Sequence, residues 1–282
     1  MQTRILQKML LTENNRINKK FSSLEAKGEK ALICYIVGGY PSLLVSEKII
    51  SSLVQGGADI IEVGIPFSDP IADGPTIQKA SFEALAKGIT VDKCLKLMHR
   101  LRKKFPELPL LAMTYSNIPF KAGYNNFLGK LKMAGIDGLI LPDMAIEESE
   151  SYARYAKSLD LATVFLVSPN TSNDRIKKII SQSSGFTYVV SVLGTTGART
   201  NVSNYSVNAV ERIRKIAGPN KKIAVGFGIS LPSHVKSFID AGADAVIVGS
   251  SIVDKINRTF SHRQLENELK LYAKTMKYPC KQ

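Results

Sequence analysis

Short apolar runs, each the length of one strand, alternate along the chain with segments whose apolar residues recur at helical spacing. The runs are rich in Val, Ile and Leu with few polar interruptions, which is typical of parallel strands buried on both faces. They predict eight strands, at residues 31–37, 59–64, 110–115, 138–141, 162–167, 186–191, 222–227 and 245–249.

The segments between these runs have the 3.6-residue period of amphipathic helices. They predict eight helices, at residues 42–55, 76–86, 91–104, 124–133, 146–158, 173–182, 208–217 and 233–240. Further helices are expected at 15–27, closing the bottom of a barrel, and at 264–276, completing its outer ring.

Regular alternation of strand and helix predicts parallel pairing with right-handed crossovers. Eight such units in 282 residues match the size of one (β/α)₈ TIM barrel, an α/β fold with a short N-terminal extra helix here. We expect residues 1–14 to form an N-terminal extension and residues 15–278 the barrel. A doubly wound open sheet remains the alternative, because periodicity does not decide whether the sheet closes.

One short pattern occurs three times, at residues 57–64, 135–142 and 242–249, where Gly, a small or apolar residue and Asp precede an apolar strand. Glycine adopts positive φ easily and often ends a helix there. The repeat therefore indicates that one helix-to-strand connection is reused around the same architecture.

Composition narrows the function classes. The net charge is +14, but Lys and Arg are spread along the chain without a nucleic-acid motif, so a solvated basic surface is favoured over nucleic-acid binding. The three cysteines lack metal or disulfide spacing and predict free thiols, and no metal site is expected. The apolar runs are too short to cross a bilayer, and the basic N-terminus lacks a secretory pattern. We expect a cytoplasmic protein, or one of a plastid stroma, with no membrane or nucleic-acid partner.

Candidate chemistry begins in the second predicted strand, because barrel active sites lie at the C-terminal ends of strands. Glu62 interrupts an apolar run there, and burial should raise its pKa toward that of a neutral-pH acid or base. The alternative is a structural glutamate paired with Arg or Lys. The loop at 67–75 holds Asp69 and Asp73, either of which is a candidate hydrogen-bond acceptor for a substrate, although Asp and Pro are also ordinary turn formers.

Loops of small residues follow the last three predicted strands, at residues 194–199, 226–230 and 248–251. Backbone N–H groups in such loops, with the N-terminus of a following helix, are the usual phosphate site of a barrel. The three loops predict a phosphate-binding site, and the alternative is three tight turns with nothing bound.

At this point the chain resembles the tryptophan synthase alpha chain family, from about Asn14 to Lys274. The most specific segment is residues 61–78, IEVGIPFSDPIADGPTIQ. Supporting segments are GGYPS at 38–42, MTYSN at 113–117, LPD at 141–143, GTTGAR at 194–199 and GFGIS at 226–230.

The resemblance implies cleavage of indole-3-glycerol phosphate to indole and glyceraldehyde 3-phosphate. It implies that Glu62 is the general acid and base and that Asp73 stabilises the protonated indole ring. Tyr188 matches an active-site tyrosine, where the residues alone suggest barrel core. The remaining implied positions are Tyr115, Ile77, Phe227 and Leu141 for the indole, and Gly197, Gly228, Gly249 and Ser250 for the phosphate.

The resemblance also implies a beta-chain partner in an alpha2beta2 assembly. It implies no cofactor in this chain, and pyridoxal phosphate only in that partner. Two loops, 67–75 and 192–206, are expected to close the site. Val192 and Leu193 stand where some relatives carry Arg and Ser, which puts loop locking in doubt.

Three other functions stay open. One is another barrel enzyme, such as a phosphoribosyl-anthranilate-type isomerase or an indole-glycerol phosphate synthase, but neither has the 62–73 segment. The second is a non-catalytic activator of a beta chain. The third is a free-standing lyase that releases indole.

Overall fold

The barrel sheet contains nine parallel strand segments in a computed structural model, which describes residues 15–190, 203–226, 228–259 and 261–281. Their order is β5-β4-β3-β2-β1-β9-β8-β7-β6. The strands are β1 (Ala31–Val37), β2 (Ile60–Gly64), β3 (Leu110–Met113), β4 (Gly138–Ile140), β5 (Ala162–Val164), β6 (Leu166–Val167), β7 (Thr187–Val190), β8 (Ile223–Gly226) and β9 (Ala245–Val248).

The two end segments, β5 and β6, are parts of one predicted strand that is interrupted at Phe165. β5 pairs with β4, and β6 pairs with β7, so the interrupted strand completes a ring of eight. The barrel prediction is confirmed, and the open-sheet alternative is wrong.

Helices lie between the strands and cover the outside of the ring. They are α1 (Arg16–Glu25), α2 (Leu43–Gln55), α3 (Pro75–Ala86), α4 (Val91–Lys104), α5 (Asn117–Ala122), α6 (Tyr124–Met133), α7 (Glu150–Ser158), α8 (Asn173–Gln182), α9 (Asn204–Ala217), α10 (Pro232–Asp240), α11 (Ser250–Arg258) and α12 (His262–Lys277), with 3₁₀ turns at Ile146–Glu148 and Tyr278–Lys281. None of the helices in the described ranges is long and apolar enough to span a bilayer.

Three helical regions differ from the sequence prediction. The helix predicted at 146–158 is a 3₁₀ turn at Ile146–Glu148 followed by α7, which begins at Glu150. α9 begins four residues before the predicted start at 208, because the Ser203 hydroxyl accepts the N–H of Ser206 and caps the helix. α5 was not predicted. The residue before it, Ser116, donates its N–H (2.9 Å) and its hydroxyl (2.7 Å) to the distant Asp143 carboxylate, which periodicity does not reveal.

The N-terminal helix α1 covers the N-terminal end of the barrel, as predicted. Its apolar face buries Ile17, Phe21 and Leu24, and the Phe21 ring meets Phe186 edge-on at 6.1 Å between centroids. The side-chain amide of Asn15 donates to the carbonyl of Asp137 at 2.9 Å, which ties the start of the helix to the connection before β4.

The repeated Gly-x-Asp pattern forms the same local structure at three places at the N-terminal end of the barrel. The three glycines have positive φ: +107° at Gly57, +82° at Gly135 and +100° at Gly242. Each aspartate accepts a backbone N–H from the neighbouring strand: Asp59 from Leu32 (2.8 Å), Asp137 from Leu110 (2.8 Å) and Asp244 from Ile223 (2.9 Å).

In each copy, a Lys or Arg side chain forms an ion pair with the aspartate. Arg102 pairs with Asp137 at 2.6 Å, and Arg214 pairs with Asp244. For Asp59 the cation is Lys277 from the last helix, whose Nζ lies 2.8 Å from the carboxylate. In all three copies, one buried aspartate thus joins a backbone N–H of the neighbouring strand to a cation.

The three cysteines, Cys34, Cys94 and Cys280, are buried free thiols, as predicted. Burial raises the pKa of Cys94 and of Cys280 to about 12, so both stay protonated at neutral pH. Buried protonated thiols are unreactive.

Candidate active site

Glu62 lies in the middle of β2, fully buried, with Tyr35 of β1 and Leu111 of β3 as its register partners. Neither carboxylate oxygen has a hydrogen-bond partner among the described residues, and no Arg or Lys in those ranges forms an ion pair with it. Burial raises the pKa of Glu62 to about 8, and the nearby Asp73 charge adds to the effect. A buried acid in this state is a proton donor at neutral pH, which argues against a structural glutamate.

Asp73 lies at the end of the loop between β2 and α3, directly before Gly74 and Pro75. Its backbone N–H donates to the carbonyl of Pro70 at 3.0 Å, which fixes the turn that presents the carboxylate. Burial raises the pKa of Asp73 to about 6, and a hydrogen bond from Tyr115 partly offsets the rise. Asp73 is therefore largely ionised at neutral pH.

The other loop carboxylate, Asp69, is exposed and accepts a hydrogen bond from the hydroxyl of its neighbour Ser68. Asp73, by contrast, lines the same cavity as Glu62. Of the two aspartates that the loop sequence left open, the structure brings only Asp73 to the cavity.

Tyr115, which follows β3, holds this loop in place. Its hydroxyl donates to Asp73 at 3.1 Å and accepts the N–H of Ala72 at 3.0 Å, and its ring stacks on Phe67 with 5.3 Å between centroids. Its expected contact with the indole stays a prediction, because the residue is not part of the cavity wall described next. The geometry shows it orienting the Asp73 carboxylate.

We expect Tyr115→Phe to raise the pKa of Asp73 from about 6 to about 7, because the substitution removes a hydrogen bond to the ionised form that is worth about 1 kcal/mol. The measurement is an NMR titration of ¹³C-labelled aspartate carboxyls, with Asp73→Asn identifying the signal. Tyr155→Phe, a half-buried tyrosine on α7, is the control. An unchanged Asp73 titration in Tyr115→Phe would contradict the assignment.

The cavity at the C-terminal end of the barrel holds about 510 Å³, including its open mouth. It brings together seven predicted site residues: Glu62, Asp73, Ile77, Tyr188, Gly228, Gly249 and Ser250. Gly197 and Phe227 lie outside the described residues, and Leu141 is buried at the end of β4 without forming part of the cavity wall. The charge of Glu62 contributes to the raised pKa of Tyr188, which places that phenol near the acid.

Helix α11 opens directly onto this cavity, because Gly249 and Ser250 line it and the helix begins at Ser250. The first N–H groups of an α-helix have no intrahelical acceptor, and the positive end of the helix dipole favours an anion. The cavity thus joins two carboxyl groups of different pKa to an anion-binding helix end.

Four further side chains of the cavity wall escaped the sequence analysis: Tyr35, Met113, Ile229 and Ile247. Tyr35 has the most chemical interest, because its phenol faces the cavity from β1 and burial raises its pKa well above the ordinary value. The signal was present, since Tyr35 is the only residue of β1 with a polar oxygen in its side chain.

The described residues contain no group of three or more His, Cys, Asp and Glu side chains that could hold a metal ion. The groups assembled at this site are suited to proton transfer and anion binding.

Comparison with known proteins identifies relatives over most of the chain. The family model described as "Tryptophan synthase alpha chain" matches residues 21–281. The tryptophan synthase alpha chain of Methanocaldococcus jannaschii is 43% identical over 256 residues, covering 90% of both chains. That of Methanosarcina barkeri is 43% identical over 265 residues, covering 94% of this chain and 97% of the relative.

A solved structure also superposes on this barrel. It is described as a tryptophan synthase complex from Pyrococcus furiosus, and one of its chains has a TM-score of 0.80 and 32% identity. The match covers 88% of this chain and 98% of that one.

Proposed function

Because the chain belongs to the tryptophan synthase alpha chain family, we propose that it is a lyase that cleaves indole-3-glycerol phosphate to indole and glyceraldehyde 3-phosphate. Its place in tryptophan biosynthesis follows from the family. The observation that carries the proposal is one cavity with a protonated Glu62, an ionised Asp73 and the N-terminus of α11. A retro-aldol cleavage of a phosphorylated indole needs an acid, a stabiliser of positive charge and an anion site.

Glu62 acts first as the acid and then as the base. It donates its proton to C3 of the indole ring, which makes that carbon a leaving group. The resulting carboxylate takes the proton of the adjacent glycerol hydroxyl while the bond between C3 and the glycerol carbon breaks. The electron pair returns to the ring, indole and the aldehyde separate, and Glu62 ends protonated as it began.

Asp73 stabilises the intermediate. Protonation at C3 places a positive charge on the ring, and the ionised Asp73 carboxylate accepts a hydrogen bond from the ring N–H. Tyr115 keeps that carboxylate oriented through the 3.1 Å hydrogen bond. We assign Tyr188, Ile77, Tyr115 and Phe227 to the indole, and Gly197, Gly228, Gly249 and Ser250 to the phosphate.

We further propose that a beta chain receives the indole, in an alpha2beta2 assembly, and that pyridoxal phosphate is bound by that partner and not by this chain. The relative in Pyrococcus furiosus is described as a complex. An exposed apolar side chain next to the site supports a partner. Ile71, in the loop between β2 and α3, is 80% exposed and lies only two residues from Asp73. A partner that covers Ile71 would also close the loop over the site. We expect the reaction to run in a cytoplasm or a plastid stroma.

We expect a bell-shaped pH dependence of kcat/KM, with limbs at about 6 and about 8. Activity needs Asp73 ionised, which is lost as pH falls through about 6, and Glu62 protonated, which is lost as pH rises through about 8. The two carboxyls interact, so the limbs belong to the pair. Steady-state rates of indole release between pH 5 and 9.5 measure both. A rate that stays constant from pH 7 to 9.5 would contradict Glu62 as the acid.

Indole release from indole-3-glycerol phosphate, measured with and without a beta chain, tests the function itself. Release that the beta chain accelerates supports the lyase within a complex, and release indifferent to the partner indicates a free-standing lyase. A chain that activates its partner but releases no indole under any condition would be a non-catalytic activator, which overturns the proposal.

A further inference from the structure

Tyr272, on the last helix α12, contacts two segments next to the cavity. One is the loop after β8, and the other is the first turn of α11. The Tyr272 hydroxyl lies 2.6 Å from the hydroxyl of Ser251, in the first turn of α11. It also lies 3.5 Å from the carbonyl of Ser230, in the loop after β8. One phenol therefore contacts the chain after β8 and the chain after β9.

Two arrangements of protons satisfy these contacts. In one, Ser251 donates to Tyr272, which donates to the carbonyl of Ser230. In the other, Tyr272 donates to Ser251, whose hydroxyl donates to the carbonyl of Ile229 at 3.4 Å. Either way a short hydrogen-bonded chain links the first turn of α11 to the loop that carries Gly228.

The ring of Tyr272 has contacts with the core and with a cation. It is half-buried and packs against the hydrophobic core. The ammonium group of Lys255 lies 5.0 Å from the ring centroid and is itself held by Glu268 at 3.0 Å. A ring fixed in this way presents its hydroxyl in one direction.

An anion site made of backbone N–H groups binds tightly only if those groups already point at the same place before the anion arrives, because ordering them afterwards costs binding free energy. Gly228, Gly249 and Ser250 come from two strands, so their relative position depends on what connects the two loops. We propose that Tyr272 is a positioning residue that sets the affinity of the phosphate site, by fixing the loop after β8 against the first turn of α11. This proposal rests on the phosphate site of the proposed function.

The test is Tyr272→Phe, which keeps the ring and its packing and removes only the hydroxyl. Calorimetric titration of the full chain measures the Kd of glycerol 3-phosphate, which has the phosphate without the indole, and of indole, which has the reverse. We expect the Kd of glycerol 3-phosphate to rise about 5–10-fold and that of indole to stay within twofold, since one hydrogen bond is involved. In steady-state assays the KM of indole-3-glycerol phosphate should rise similarly at unchanged kcat.

Tyr278→Phe is the matched control, because the Tyr278 ring is 65% exposed and lies in the same C-terminal segment. It should leave both Kd values unchanged. Ser251→Ala should weaken glycerol 3-phosphate binding by a similar factor, and the double variant Ser251→Ala/Tyr272→Phe should weaken it no further, because both residues act through one linkage.

Other results overturn the proposal in distinguishable ways. An unchanged Kd for glycerol 3-phosphate in Tyr272→Phe removes the positioning role. Equal weakening of both ligands shows a general structural effect, which also removes it. A native chain that binds indole but not glycerol 3-phosphate would overturn the phosphate site itself, and this inference with it.

Discussion

Replacing Glu62 by Gln is expected to lower the rate of indole release by about 10²–10⁴-fold, the usual contribution of a positioned acid–base group. Glutamine has nearly the same shape but can neither donate an acidic proton to C3 of the indole nor take the glycerol hydroxyl proton afterwards. Both halves of the reaction are therefore blocked by one substitution, while the cavity keeps its form. Single-turnover assays of indole release measure the loss.

The same substitution is expected to stabilise the protein at neutral pH. The pKa of Glu62 is about 8 in the folded chain, against 4.5 for an unperturbed glutamate, so at pH 7 folding forces a carboxylate to take up a proton. This cost is absent below about pH 4.5 and grows until about pH 8. At pH 7 it is on the order of 3 kcal/mol, and Glu62→Gln avoids it.

Glu211→Gln makes the same chemical change at an exposed position in the middle of α9 and should alter neither activity nor stability. Urea unfolding at pH 5, 7 and 8 measures the stability difference, which should widen with pH for Glu62→Gln alone. A Glu62→Gln variant with near-native activity would remove the residue from the mechanism. A variant that is less stable than the native chain at pH 8 would contradict its burial without a partner.

The largest expected effect on folding is that of Lys277→Met. Lys277 is only 5% exposed, and its ammonium group contacts Asp59 (2.8 Å), the carbonyl of Lys30 (2.8 Å) and Glu29 (3.2 Å). Methionine fills the space but leaves the buried Asp59 carboxylate without its cation. Breaking a buried ion pair by removing one partner costs about 3–5 kcal/mol, and this is the loss we expect in the free energy of unfolding.

Lys274→Met is the control, because Lys274 lies on the exposed side of the same helix. The double variant Asp59→Asn/Lys277→Met should recover part of the lost stability, since asparagine removes the unpaired charge and can still accept the N–H of Leu32. Urea unfolding at pH 7 compares the four proteins. A loss below about 1 kcal/mol in Lys277→Met, the value of an exposed pair, would show that the buried pair does not stabilise the fold.

The sequence predicts the barrel well because its strands are buried on both faces. Strands buried in this way consist of nearly continuous apolar residues, which are easy to recognise in a sequence. The break at Phe165 was not visible, since residues 162–167 form one continuous apolar run apart from Thr163. Likewise α5 depends on Asp143 from another connection, and local periodicity does not reveal such a contact.

In the site, Glu62 stood out because a carboxylate is rare inside an apolar strand. Asp69 and Asp73 were indistinguishable by residue type, and only the loop's turns and Tyr115 decide which one faces the cavity. Tyr35 carries the only polar oxygen among the β1 side chains, but this signal is weak because a tyrosine in an apolar strand is usually part of the core. Tyr272 was hidden because it lies on a helix 21 residues from Ser251, its hydrogen-bond partner.

Three of the cations at the N-terminal end of the barrel, Arg102, Arg214 and Lys277, differ in when they are synthesised relative to the aspartate that they contact. Arg102 is synthesised before its partner Asp137, and Arg214 is synthesised before its partner Asp244. Asp59 pairs with a lysine 218 residues downstream. A protein is synthesised from its N-terminus, so the ion pair of the connection between the first two strands cannot form before residue 277 has been translated. The first two strands thus depend on a cation from a helix that follows the last strand of the barrel.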